Sequence, residues 1–286
     1  MLTIRGKQVN TSRTLIMGIL NITPDSFFDG NKYLAPDKAI DRAFEMIAEG
    51  ADIIDIGGES TKPGATRVSE VEEIARIIPV IKSIKQKNQN IIISVDTYKN
   101  LVAKAALEAG AEIINDVYAG QFDNEIMKTA AGYGAGYVLM HMQGTPETMQ
   151  NKPAYSKDGV IGDIKDFFAI RIGKAIEAGL KKENLILDPG IGFGKSVEHN
   201  LEIIKHLKDF KTFELPLLFG PSRKSFIGKV LNLQTENERL NGTQATVTYG
   251  ILNGADIVRV HDVRPTAETV KLTQAIMCAE NIAEQK

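Results

Sequence analysis

Short apolar segments alternate with helical segments eight times along this chain, and the alternation restricts the folds that it can adopt. The predicted core strands are 15–20, 52–56, 91–95, 113–115, 137–140, 185–187, 217–219 and 257–260. The predicted helices are 37–49, 69–87, 99–109, 124–131, 159–178, 197–207, 235–252 and 266–284. Eight such units predict an α/β protein, a single (β/α)₈ TIM barrel spanning residues 1–286, with a short N-terminal hairpin at 2–9.

Composition excludes several classes of protein. The chain is 43% hydrophobic and 24% charged, as in ordinary globular proteins, and its formal net charge of −2 argues against a nucleic-acid or anionic-membrane partner. No signal peptide or membrane-spanning segment is evident, so we expect a cytoplasmic, reducing location. The one cysteine, Cys278, excludes an internal disulfide, and its place in the last predicted helix predicts core packing.

Three acidic residues stand directly before strands, in phrases that echo one another. Asp52, Glu112 and Asp256 each follow a helix that ends on Gly-Ala. This is the helix-to-strand connection, which lies at the lower rim of a barrel. We therefore predict structural roles for all three carboxylates.

Polar side chains follow nearly every predicted strand, at the rim where barrels build their sites. They are Asn21, Glu59, Ser60, Thr61, Asp96, Asn115, His141, Asp188, Lys224, Arg259 and His261. Asp188 could simply cap the end of its strand, and His141 could be hydrogen-bonded to the backbone without a role in a site. Capping does not call for Lys224, Arg259 and His261 on one rim, so the set as a whole predicts a ligand site.

The chemistry of this set indicates two kinds of ligand group. Carboxylate, amide and ammonium groups suit the edge of a flat heterocycle, and these are Asp96, Asn115, Asp188 and Lys224. Groups suited to an anion are Asn21, Thr61, Arg259 and His261, with Asn21 a possible oxygen ligand for Mg²⁺. Nucleotide motifs fail, because Pro189 and Lys195 stand where the two glycine-rich signatures require glycine.

At these same residues the chain resembles the dihydropteroate synthases. The motifs are Asn21-Ile-Thr-Pro-Asp-Ser-Phe27, Asp55-Ile-Gly-Gly-Glu-Ser-Thr61, Ser94-Val-Asp-Thr97, Ile114-Asn-Asp-Val117, Leu139-Met-His-Met-Gln-Gly144, Asp188-Pro-Gly-Ile-Gly-Phe-Gly-Lys195, Ser222-Arg-Lys-Ser-Phe226 and Arg259-Val-His-Asp-Val263. The resemblance spans nearly the whole chain. It implies a transferase that joins 6-hydroxymethyl-7,8-dihydropterin diphosphate to 4-aminobenzoate, and it implies a homodimer.

The resemblance also implies roles for individual residues. The pterin would contact Asp96, Asn115, Asp188 and Lys224, with Met140 and Phe193 as apolar neighbours and Arg259 alongside. Diphosphate and Mg²⁺ would contact Asn21, Asp29, Thr61, Lys62, Arg259 and His261. Ser225, Phe27 and Pro63 would line the aminobenzoate pocket. The expected catalytic residues are Asp29, Asp96, Asp188, Lys224, Arg259 and His261.

Two positions depart from the family pattern. Lys62 stands where arginine is usual, and Phe28 stands where serine is usual. Lysine keeps the charge but loses the bidentate fork for phosphate. Both residues belong to the long segments 23–34 and 58–68, which we expect to act as lids over the barrel mouth.

Two other functions compete with this interpretation. A methyltransferase that passes a methyl group from a reduced folate to a cobalamin protein would share the pterin-binding residues. It would have no need for an anion-binding group, so Lys62, Arg259 and His261, together with Asn21, argue against it. A pterin-binding protein without catalytic activity would not require polar groups at all eight strand ends.

Overall fold

The protein is described from a computed structural model that covers residues 2–22, 35–60, 67–144 and 153–279. Its strands are β1 (Leu2–Ile4), β2 (Lys7–Val9), β3 (Leu15–Asn21), β4 (Ile53–Gly57), β5 (Ile92–Asp96), β6 (Ile113–Asp116), β7 (Gly136–Met140), β8 (Leu185–Asp188), β9 (Leu218–Phe219) and β10 (Ile257–Val260). Its α-helices are α1 (Ala35–Glu49), α2 (Glu70–Lys87), α3 (Asn100–Ala109), α4 (Glu125–Gly132), α5 (Gly159–Glu177), α6 (Val197–Lys205), α7 (Ser225–Leu231), α8 (Leu240–Leu252) and α9 (Val263–Met277).

The eight core strands form a parallel ring, which confirms the predicted (β/α)₈ barrel. Hydrogen bonds join them in the order β8-β7-β6-β5-β4-β3-β10-β9. A parallel bridge between Leu187 and Leu217, with the Leu187 N–H donating to the Pro216 carbonyl at 2.9 Å, brings β8 and β9 together. The predicted hairpin is also present, as the antiparallel pair of β1 and β2.

Alternation along the strands separates two cores. Residues that point outward, such as Ile54, Ile93 and Val258, pack under the helices in the larger core. Residues that point inward form an apolar floor inside the barrel, to which the hairpin adds Leu2 and Ile4. The inward residues of the floor are Leu15, Met17, Ile53, Ile113, Val138, Ile186, Leu218 and Ile257. The floor closes the lower end of the barrel, so ligands are confined to the upper end.

Three sequence predictions fail near the C-terminus. The helix predicted at 235–252 is preceded by α7, which the sequence pattern missed because Gly228 interrupts a short apolar run and Asn232 ends it in a left-handed turn. The last helix runs from Val263 to Met277, and not over the predicted 266–284. Cys278 is exposed and not in the core, because it lies just beyond α9, whose buried face ends at Thr273.

None of the helices in the described ranges combines the length and the apolar character that crossing a membrane requires.

Candidate active site

The polar residues of the site occupy the next inward-facing position of each strand above the apolar floor. A strand turns every second side chain to the same face, so the residue two positions after a floor residue also faces the barrel interior. These pairs are Ile53 and Asp55, Ile113 and Asn115, Val138 and Met140, Ile186 and Asp188, and Ile257 and Arg259. The strand register then sets Asp96 opposite Asn115, and Met140 opposite Asp188.

Arg259 is at the centre of the polar layer. Its Nε donates to Asp55 Oδ2 at 2.6 Å, and its Nη2 donates to Asp96 Oδ2 at 2.7 Å. Asn115 Nδ2 donates to the same Asp55 oxygen at 3.1 Å. Asp55 therefore binds two of the predicted site residues, although the sequence interpretation gave it no role. The sequence feature that could have indicated this role is the position of Asp55, a carboxylate two residues before the end of an otherwise apolar strand.

One guanidinium here faces two buried carboxylates. Burial, opposed by Arg259 and reinforced by Asp55, raises the pKa of Asp96 to about 7. Asp55 Oδ1 is buried and makes no hydrogen bond to any described residue. A buried acceptor without a hydrogen bond costs folding free energy unless a ligand supplies a donor. The polar layer is therefore suited to bind a ligand with hydrogen-bond donors.

Asp188 and Lys224 face the same interior from the other side of the barrel. Asp188 Oδ1 accepts a hydrogen bond from the Gly190 N–H at 2.8 Å, and burial raises the pKa of this carboxyl to about 6. The Lys224 ammonium lies 4.1 Å from the centre of the Phe193 ring, and burial beside Arg259 lowers its pKa to about 8. The two groups interact electrostatically, and burial displaces the pKa of each toward its neutral form.

An apolar wall completes the mouth of the barrel. Met140, Val117 and Tyr98 are buried in one cluster, against which Phe193, Met142 and Tyr118 pack. The sequence interpretation predicted Met140 and Phe193 but missed the other four. A wall of this kind beside a layer of hydrogen-bonding groups fits a flat, polar-edged ring.

Two of the residues predicted to bind an anion, besides Arg259, lie in the described ranges. His261 Nδ1 lies 2.9 Å from Ser222 Oγ, and burial beside Arg259 and Arg223 lowers the pKa of this imidazole to about 4. Asn21 ends β3, half-buried, with its Oδ1 above Gly57. No cluster of three or more histidine, cysteine or carboxylate groups suited to a metal lies within the described residues. An amide oxygen alone fits Mg²⁺ only if the substrate supplies further oxygens.

His141 has a structural partner that the sequence did not reveal. Lys195 Nζ lies 3.0 Å from His141 Nδ1 and donates to the carbonyls of His141 and Phe193 at 3.2 and 2.9 Å. Both side chains are buried; burial lowers the pKa of His141 to about 2 and that of Lys195 to about 7. Lys195 therefore holds the backbone that carries Phe193, which favours the structural interpretation of His141.

The ends of the segment after β4 are held by a buried ion cluster. Lys99 Nζ donates to Glu59, Glu73 and the Val68 carbonyl, each at 2.6 Å. Ser225 is exposed as the first residue of α7. The remaining predicted site residues, Phe27, Asp29, Thr61, Lys62 and Pro63, lie outside the described ranges, as does Phe28.

Known proteins are similar to this chain in sequence. The family model described as "Pterin binding enzyme" matches residues 17–261. The dihydropteroate synthase of Synechocystis sp. is 47% identical over 264 residues, which cover 92% of this chain and 90% of that protein. The chain belongs to the dihydropteroate synthase family.

Solved structures of the family superpose closely on this barrel. The Yersinia pestis dihydropteroate synthase, crystallised with a sulfonamide drug, gives a TM-score of 0.90 at 44% identity over 97% of this chain and 99% of that one. The Clostridium difficile dihydropteroate synthase, crystallised in the presence of pteroic acid, gives 0.88 at 46% identity over 94% and 99%. These values extend the family likeness to the whole barrel.

Proposed function

We propose that this protein condenses 6-hydroxymethyl-7,8-dihydropterin diphosphate with 4-aminobenzoate, giving 7,8-dihydropteroate and diphosphate for folate synthesis. The observation that carries the proposal is the buried layer around Arg259, with its unsatisfied carboxylate oxygen, in a chain of this family. The Yersinia relative binds a sulfonamide and the Clostridium relative was crystallised with pteroic acid, so an arylamine pocket is expected beside a pterin pocket.

The pterin ring would bind between the polar layer and the apolar wall. Asp188 accepts hydrogen bonds from the amino-pyrimidinone edge, and Asn115 and Lys224 contact the ring nitrogens and carbonyl. Met140 and Phe193 cover its apolar faces. A ring that donates to Asp55 also provides the partner that its buried Oδ1 lacks.

The diphosphate would bind at the edge of the barrel, near His261 and Arg259. Asn21 would hold Mg²⁺ together with oxygens of the diphosphate, consistent with a site of one protein ligand. When bound, Mg²⁺ supplies charge neutralisation of the leaving group. Thr61, Lys62 and Asp29 would add contacts there, and Ser225, Phe27 and Pro63 would line the aminobenzoate pocket.

The chemical step is a substitution at the pterin methylene. The bond between the methylene carbon and the diphosphate oxygen breaks first, and the electron-rich pterin delocalises the positive charge that develops. The buried carboxylates Asp96 and Asp188 stabilise that cation, while Arg259 and His261 stabilise the departing anion. The arylamine nitrogen then bonds to the methylene and releases one proton.

An assay of diphosphate release tests the proposal. The purified chain, supplied with the pterin diphosphate, 4-aminobenzoate and Mg²⁺, is expected to release diphosphate and form 7,8-dihydropteroate in equal amounts. Asp52→Asn, a change at the lower rim, is the matched control and should retain activity. Pterin binding without diphosphate release would overturn the proposal, and methyl transfer from a reduced folate would favour the methyltransferase instead.

The homodimer is part of the same proposal. Large apolar side chains are exposed on neighbouring helices: Tyr249 and Leu252 on α8 at 43% and 55%, and Leu272 and Ile276 on α9 at 65% and 66%. Apolar side chains concentrated on one face suit a subunit interface. Light scattering should give a dimer for the parent and a monomer for the pair Leu272→Glu and Ile276→Glu. Ile170→Glu on α5 is the control, since Ile170 is 62% exposed elsewhere.

A further inference from the structure

The turn between β9 and α7 is held in a strained conformation. Arg223 has a φ of +55°, which side-chain-bearing residues rarely adopt. Its guanidinium makes a bidentate ion pair with Asp262, with Nε and Nη2 donating at 2.9 and 2.6 Å, and Nη1 donates to Asn237 at 3.0 Å. The backbone N–H of Arg223 donates to Thr243 Oγ1 at 3.0 Å, and the backbone carbonyl of Arg223 accepts from Arg239 Nη1 at 2.8 Å. Five hydrogen bonds therefore hold one unfavourable turn.

The turn directs its two neighbours to the two halves of the site. Lys224 extends to the Phe193 ring in the pterin half. Ser222 is buried, and its Oγ lies 2.9 Å from Nδ1 of His261 and 3.1 Å from the backbone N of His261. The Asp262 partner of Arg223 directly follows His261, so the same ion pair fixes the serine and the histidine relative to each other.

The hydrogen atoms at Ser222 can be assigned by accounting for donors. The backbone N–H of His261 can only donate, so Ser222 Oγ accepts from it. The serine hydroxyl still has its own hydrogen to donate, and Nδ1 of His261 is the one acceptor within reach among the described residues. The imidazole hydrogen is then on Nε2, the nitrogen that faces away from Ser222.

We propose that Ser222, fixed by the strained Arg223 turn, is a positioning residue that holds His261 as its Nε2–H tautomer. The consequence for binding rests on the function proposed above. Burial keeps the pKa of this imidazole low, so it stays neutral near pH 7 and donates through one nitrogen only. The tautomer thus decides whether His261 offers a donor to a diphosphate oxygen or an acceptor that repels it.

Nitrogen-15 NMR of the full chain labelled at histidine tests the tautomer directly. In the ligand-free parent, long-range proton–nitrogen correlations should show that Nε2 of His261 carries a proton and Nδ1 does not. The His261 signals are assigned by their absence from the spectrum of His261→Gln. Ser222→Ala should give a mixture of tautomers, and Ser222→Thr, which keeps the hydroxyl, should restore the parent pattern. A protonated Nδ1 in the parent, or an unchanged tautomer in Ser222→Ala, would overturn the proposal.

Calorimetry with inorganic diphosphate and Mg²⁺ measures the consequence. Ser222→Ala should bind diphosphate at least fivefold more weakly than the parent, while its affinity for the pterin without diphosphate stays within twofold. Equal losses for both ligands would mean that Ser222 supports the fold in general, and would overturn the positioning role. A parent that binds no diphosphate would count against the proposed function alone, because the NMR result is independent of it.

A second variant tests the turn itself. Arg223→Gly accepts the positive φ without strain but removes the ion pair with Asp262. We expect diphosphate and pterin affinities to fall together, since Ser222 and Lys224 both lose their fixed positions. Asn232→Gly is the matched control, because Asn232 also has a positive φ, of +57°, but ends α7 away from these contacts. Parent-like affinities in Arg223→Gly would show that the turn holds neither residue.

Discussion

Carboxylates at the two rims of this barrel have opposite surroundings. At the lower rim, Asp52, Glu112 and Asp256 each accept a backbone N–H from the preceding strand of the ring and pair with a cation. Their N–H donors are Ile16, Ile93 and Leu217 at 2.9, 3.2 and 2.7 Å. Their cations are Arg13, Lys85 and Lys211. Each carboxylate therefore ties two strands together, in agreement with the structural roles predicted from the sequence.

The upper carboxylates are more deeply buried and less well satisfied. Asp55, Asp96 and Asp188 are 0%, 7% and 5% exposed, against 18–19% for the side chains of the lower three. Asp55 leaves an oxygen without a hydrogen bond, and burial raises the pKa of Asp96 and Asp188. The functional group is a carboxylate at both rims. The difference in satisfied hydrogen bonds separates a structural carboxylate from one that is prepared for a ligand.

The largest effect is expected from removing the cation of the upper layer. Arg259→Met leaves Asp55 and Asp96 buried without their partner, and breaking such a pair typically costs about 3–5 kcal/mol of folding free energy. Arg259→Lys keeps the charge but loses the fork, so its loss should be smaller. Urea unfolding of the ligand-free chain measures both. Equal stability of Arg259→Met and the parent would show that the upper layer does not depend on this ion pair.

Asp188→Asn tests the ligand side of the comparison. The substitution keeps the shape but turns one acceptor into a donor that faces the N–H groups of the pterin. Pterin binding should weaken by about 2–4 kcal/mol, while the fold survives. Isothermal titration decides, and an affinity within threefold of the parent would mean that Asp188 does not anchor the ring.

The raised pKa of Asp188 also predicts a pH dependence of stability. Its pKa moves from 3.8 to about 6 on folding, so between these values the folded chain keeps a proton that the unfolded chain has lost. The unfolding free energy contributed by this group therefore falls as the pH rises through that window, by at most about 3 kcal/mol. Asp188→Asn should gain stability relative to the parent from pH 5 to pH 7 in urea titrations. A constant difference across this range would contradict the buried, proton-binding state.

His261→Ala separates the anion half from the ring half. Because His261 forms no ion pair among the described residues, its removal should leave the fold intact. Affinity for the pterin diphosphate should fall by about 1.5–3 kcal/mol, far more than affinity for the plain pterin. Titrations with both ligands compare the two losses. Equal losses would assign His261 to the ring or to folding.

The smallest effect is expected at the lower rim. Glu112→Gln removes the ion pair with Lys85 and weakens the bond from the Ile93 N–H, which should cost about 1–2 kcal/mol of stability. The ratio kcat/KM should stay within twofold of the parent, the opposite of Asp188→Asn. Thermal unfolding and steady-state rates measured on one preparation test both. A large loss of activity at full stability would mean that the two rims are not functionally distinct.

Local patterns in the sequence were sufficient for the barrel, the hairpin, the lower-rim carboxylates and the position of Asp96, Asn115, Asp188, Lys224 and Arg259 at the upper rim. Strand alternation and the position of strand ends depend on near neighbours in the chain, so they can be interpreted without coordinates. The short helix α7 was missed because its seven residues, with Gly228 among them, are too few to show a helical periodicity.

Partnerships across the barrel could not be obtained in this way. Arg259 and Asp55 are 204 residues apart in sequence, and Lys195 and His141 are 54 apart, so no spacing rule links either pair. The strained turn at Arg223 depends likewise on Thr243, Arg239 and Asp262, which reach it only when β9, β10 and α8 pack together. Sequence pattern therefore determines which groups reach the mouth of the barrel. Packing determines which of them neutralise one another and which remain available to a ligand.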